Sequence, residues 1–129
     1  MATGIELNYL LFLAGLLSIA VGFIHSVLGE YLIFKKLREE SLVPAIAAPP
    51  LGERNIRIIW ATWHLASVFG FAMGAMLIYL SRLTDVPAFI VDSIAASMCI
   101  GGLLVFIATK AKHPGWVGIM VVAVLCWLS

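Results

Sequence analysis

GFIHSVLGEYLIFKK, residues 22–36, carries a histidine and a glutamate inside an apolar run that ends at paired lysines. Followed back to Tyr9, the run is long enough to exceed the roughly 20 apolar residues that a membrane-spanning helix needs. Followed forward, it meets KKLREE, a charged cluster that cannot enter hydrocarbon. The first transmembrane helix is therefore expected from about Tyr9 to Phe34. An ionisable side chain at the centre of such a helix costs about 2.5 to 3.5 kcal/mol on insertion scales, so His25 and Glu30 are the first functional candidates.

The composition sets the fold class. Of 129 residues, 63% are hydrophobic and only 12% charged, and the mean hydropathy is +1.09, well outside the range of water-soluble domains. The length allows four spans and almost nothing beyond them, so an all-α, integral membrane, up-and-down four-helix bundle forming a single domain is expected. No basic tract supports nucleic-acid binding. Cys99 and Cys126 both fall in apolar runs and form no CxxC pair, which argues against a redox dithiol or a zinc knuckle. The first apolar run is too long for the core of a signal peptide and lacks a basic leader, so it reads as a retained helix.

In chain order, residues 1–8 form a short amphipathic lead carrying Glu6. Within the first span, Gly15, Gly22 and Gly29 recur every seven residues, and Ser18 and His25 recur at the same interval three residues later. Small residues at that period form a seam that lets a neighbouring helix approach closely, and it turns His25 inward. Residues 39–53, with three of the five prolines, lie within a loop over 35–55. The second span runs over 56–80, with Arg57, His64, Ser67, Phe71, Gly74 and Ile78 near one face and Gly70 and Gly74 as a small-residue pair. The third covers 88–109 and holds Asp92, shallow enough to be hydrated. The fourth, 114–129, opens on Pro114 after the KAKH turn that contains His113.

Seven of the eight cations, Lys35, Lys36, Arg38, Arg54, Arg57, Lys110 and Lys112, fall on one side of this arrangement and Arg82 alone on the other. Cytoplasmic loops carry the excess of Lys and Arg, so the 35–55 loop and the 110–113 turn are expected in the cytoplasm of a cell with an inner (plasma) membrane, and both termini outside it.

Helix rise then brings the polar residues together. His25 precedes the Lys35 boundary by ten residues and His64 follows the Arg54 boundary by ten, which places both at a depth of about 15 Å. Two inward histidines at one level, with Gly22, Ser26, Gly29 and Ser67 leaving space and Arg54 or Arg57 near the surface, suit a haem b. Its iron takes one imidazole from each helix and its propionates take a cation, as in membrane electron transfer. The same residues suit non-haem iron, zinc or copper on His25, His64 and Glu30, although Glu30 lies roughly 140° around the helix from His25. Glu30 is better placed to hold the Nδ1 hydrogen of His64 or to pair with Arg57. Without any cofactor, the histidines would bond Ser26 or Ser67 across the helices, and Glu30 with Arg57 would be a structural lock. Two further functions follow from the same residues: a non-catalytic accessory subunit of a larger membrane complex, or homo-oligomer, working through its glycine seams; and a small proton-coupled transporter using Glu30. The lipid bilayer is the partner common to all of these readings.

HSVLGE in the first helix, RIIWATWHLAS in the second and KHPGW before the fourth resemble the pattern of small, uncharacterised bacterial four-span membrane proteins with HSxxGE and WHxxS motifs. That resemblance covers most of the chain and implies a fold without implying an activity. Membrane cytochromes of the b class are similar in placing histidines on neighbouring helices, and small multidrug transporters are similar in length, span number and a first-helix glutamate.

Overall fold

A computed structural model describes residues 7–129, and among them the protein is all-α with no strand. The helices are α1 (Tyr9–Leu32), α2 (Glu53–Leu80), α3 (Ala88–Ala108) and α4 (Gly115–Trp127), with bounds within three residues of the expected spans. Glu6 and most of the amphipathic lead lie outside the described residues. Three helices, α1 to α3, are long and apolar enough to cross a membrane. At 13 residues α4 is shorter; with a rise of about 1.5 Å per residue it falls short of the ~30 Å hydrocarbon layer.

Local chemistry sets the helix ends. Asn8 caps α1, its Oδ1 accepting from the backbone N–H groups of Leu10 and Leu11 at 3.1 Å. Glu53 places a carboxylate in the first turn of α2, where the positive end of the helix dipole favours it. After α3, Lys110 and Ala111 take left-handed conformations at φ 51° and 61°, and the Ala111 N–H closes the helix on the Phe106 carbonyl at 2.8 Å. The imidazole Nδ1 of His113 accepts from the Gly115 N–H at 3.1 Å, so this histidine helps to start α4.

The chain separates into two compact units, one comprising the residues up to Val21 together with Gly70–Ser129, the other Gly22–Phe69. The first is a four-helix bundle built from the start of α1, the end of α2, and α3 with α4, around a core that includes Leu11, Ala14, Leu77, Ile94, Ala95 and Val122. In it α1 and α2 approach closely: a Cβ on either Gly15 or Gly74 would stand 2.7 Å from the other's carbonyl oxygen. One turn on, the Ser18 hydroxyl donates to the Gly70 carbonyl at 2.8 Å. Phe89, Ile100, Leu104 and Ile107 of α3 are exposed, an apolar outer surface that suits lipid contact.

Candidate functional site

In the second unit the end of α1 and the start of α2 face each other. Gly29 is the reason they come so close, for a Cβ there would lie 2.1 Å from the indole nitrogen of Trp63. Trp63 fills that space and donates its N–H to the His25 carbonyl at 3.0 Å. The His25 ring lies flat on the Trp63 ring, with 4.2 Å between centroids and planes 8° apart. Beyond α1 the chain makes a short 3-10 turn over Phe34–Leu37. Phe34 is wholly buried, its ring edge-on to Trp63 at 5.8 Å and tilted against His64 at 6.0 Å.

That turn brings Arg38 back onto Glu30. The carboxylate of Glu30 accepts from three side chains: Arg38 on Oε2, and Trp60 at 2.6 Å and His64 Nε2 at 2.9 Å on Oε1. The guanidinium and the indole can only donate, so the carboxylate oxygens facing them accept. Against an accepting Oε1, a neutral His64 ring would carry its hydrogen on Nε2 and leave Nδ1 as an acceptor. Ser26 Oγ lies 2.9 Å from that Nδ1, within reach to donate to it. Ser26, His64 and Glu30 thus form one hydrogen-bonded chain across the two helices.

Several expectations are corrected here. Arg57 does not meet Glu30: it is exposed and pairs with Glu53 one turn back, at 2.7 and 2.9 Å, because an i, i+4 partner in water requires no desolvation. Glu30 holds Nε2 of His64 and not Nδ1. Ser67 is buried but its hydroxyl has no hydrogen-bond partner among the described residues, so it is not the group that holds His64. Trp60 and Trp63 turn their indole N–H groups into the site. Arg38, counted only as a boundary charge, proves to be the counterion of Glu30.

The fit to a metal or haem follows from these contacts. Both ring nitrogens of His64 already bond protein groups, so a metal at His64 would have to displace Ser26 or Glu30. Among the described residues no group of three or more His, Cys, Asp or Glu side chains could hold an ion. Asp92 on α3 is exposed. Beside the chain lies an open groove of about 420 Å³, lined by Ser26, Val27, Glu30, Tyr31, Lys35, Arg38 and His64.

No family model matches the chain, nor does any curated protein or solved structure.

Proposed function

We propose that the protein is a multi-pass protein of a cell's inner membrane in which His64 takes up and releases a proton and passes it across the bilayer, whether or not a small solute accompanies it. The observation that carries this reading is the chain of two 2.9 Å contacts, Ser26 Oγ to His64 Nδ1 and His64 Nε2 to Glu30 Oε1. When His64 is neutral, the Ser26 hydroxyl donates to Nδ1. When it is protonated, Nδ1 donates to the same hydroxyl oxygen, and only the hydroxyl hydrogen has to turn. Both charge states therefore keep one heavy-atom geometry, and Glu30 balances the imidazolium.

Glu30 is the anchor in this scheme and not the carrier, since three donors hold its carboxylate. The groove gives His64 and Ser26 access to a solute. On the cation count, residues 35–55 face the cytoplasm and both termini lie outside.

Proteoliposomes holding a pH-sensitive dye test the reading when a potassium diffusion potential drives protons inward. The wild-type protein should acidify the lumen faster than empty vesicles, His64→Ala should fall to the empty-vesicle rate, and Arg57→Gln should match wild type. A wild-type rate equal to that of empty vesicles, or one left intact by His64→Ala, would overturn it.

A further inference from the structure

The groove beside His64 has a charge balance that the proton-handling reading does not use. Two cations line it, Lys35 and Arg38, against one carboxylate, Glu30. Arg38 gives Glu30 a terminal nitrogen only; its Nε is buried and has no hydrogen-bond partner. A buried charged donor left unsatisfied is costly, and such a group calls for an acceptor. Lys35 forms no salt bridge among the described residues; its ammonium lies over the Tyr31 ring, 5.5 Å from the centroid. Glu39 and Glu40, the nearest other carboxylates in sequence, line a different cavity on the loop.

Apart from Ser26 and His64, the rest of the groove is apolar and continues along one side of α1. Val27 and Tyr31 line it and are largely exposed, as is Ile24 one turn earlier. These residues fall at helical spacing and lead from the cations at the end of the helix toward its apolar middle. A site with two cations at the helix boundary and an apolar track running inward has the polarity of an amphiphile at an interface.

We propose that this groove binds the carboxylate or phosphate group of an amphipathic anion, with Lys35 and Arg38 holding the headgroup and the chain lying along Tyr31, Val27 and Ile24. The inference deepens the proton-handling reading, resting on it only for what His64 does once the anion is bound. An anion there would neutralise the cation that Glu30 leaves unbalanced.

Calorimetric titration of the full chain in phosphatidylcholine nanodiscs, with the heats of empty nanodiscs subtracted, tests the site. The titrants are dodecyl phosphate, inorganic phosphate and dodecanol. A saturable signal with dodecyl phosphate, absent with dodecanol, is expected. Lys35→Gln should weaken it roughly tenfold through loss of a charge-assisted contact, whereas Lys36→Gln, with the same change in net charge, should bind as wild type does. If inorganic phosphate saturates at a similar concentration, the anion site stands and its ligand is a free anion. No saturable signal with either anion, equal binding of dodecanol, or equal weakening by Lys36→Gln would overturn the proposal. Because His64→Ala proton flux is measured separately, an absent anion signal with intact His64-dependent flux would remove this inference and leave the proton-handling reading in place.

Discussion

At the scale of single residues, the second unit is organised by one carboxylate. Glu30 accepts from Trp60, His64 and Arg38, donors spread over α2 and the chain beyond the 3-10 turn. Glu30→Gln keeps the shape but removes the charge and turns one acceptor into a donor that faces the Arg38 guanidinium. Glu30 is about a third exposed and Arg38 a fifth, so solvent moderates the loss; destabilisation of ~1–3 kcal/mol is expected, between the cost of a neutral hydrogen bond and that of a fully buried broken pair. A thermal unfolding series in detergent measures it, with Arg57→Gln as the comparison, because that exposed i, i+4 pair should contribute only ~0.3–0.5 kcal/mol. The same geometry fixes the tautomer of His64. In ¹⁵N-histidine spectra at a pH where the ring is neutral, His64 should carry its hydrogen on Nε2, and Glu30→Gln should relax that preference. A wild-type spectrum dominated by the Nδ1-protonated form would contradict the Ser26–His64–Glu30 chain.

At the scale of elements, close approach between α1 and α2 is set by glycines. Gly29→Ala would push a methyl group into the Trp63 indole, 2.1 Å from its nitrogen, and either displace that ring or break its bond to the His25 carbonyl. Overpacking of this kind costs about 1–3 kcal/mol. Gly101 on α3 has nothing within 4 Å of the position a Cβ would take, so Gly101→Ala should be neutral or stabilise by ~0.5–1 kcal/mol through helix propensity. Equal unfolding midpoints for the two variants would show that the tight contact is not where the fold puts it. The period-seven seam was readable in sequence because burial in a helix pair is periodic, and Gly15, Ser18, Gly22 and Gly29 are all buried. So were the three long apolar helices, which follow from apolar run length. Partner choice was not. Arg57 shares a helical face with His64 but is captured by Glu53, a competition between neighbours that periodicity does not rank. Arg38 lies beyond the end of α1, where the helical repeat stops and a single 3-10 turn decides direction. The signal that was there is Phe34, a large aromatic beside two lysines, which has to be buried somewhere and draws the chain back as it does so.

At the scale of the whole molecule, the apolar surface suits contact with a bilayer, and the charge pattern makes a testable prediction of orientation. The exposed residues of α1, α2 and α3 include Phe23, Ile24, Leu28, Val68, Phe69, Leu104 and Ile107, which water would penalise at about 25 cal/mol per Å² and lipid would not. Seven cations fall in or beside the 35–55 loop and the 110–113 turn and Arg82 alone in the α2–α3 connection, so the expectation to test is that insertion holds those two segments in the cytoplasm. Single cysteines placed at exposed loop positions read this directly. Cys99 is partly exposed and Cys126 buried, so both are first replaced by alanine, which leaves no competing thiol. Glu39→Cys then marks the long loop and Thr84→Cys the α2–α3 connection, both exposed. In intact cells a membrane-impermeant maleimide should label position 84 and spare position 39, and permeabilisation should expose both. Labelling at position 39 in intact cells would invert the molecule, and with it the side from which the groove beside His64 is reached. Exchanging the charges offers an independent check: moving cations from Lys35, Lys36 and Arg38 into the 82–87 connection should shift part of the population to the opposite labelling pattern if the cation excess is what holds the orientation.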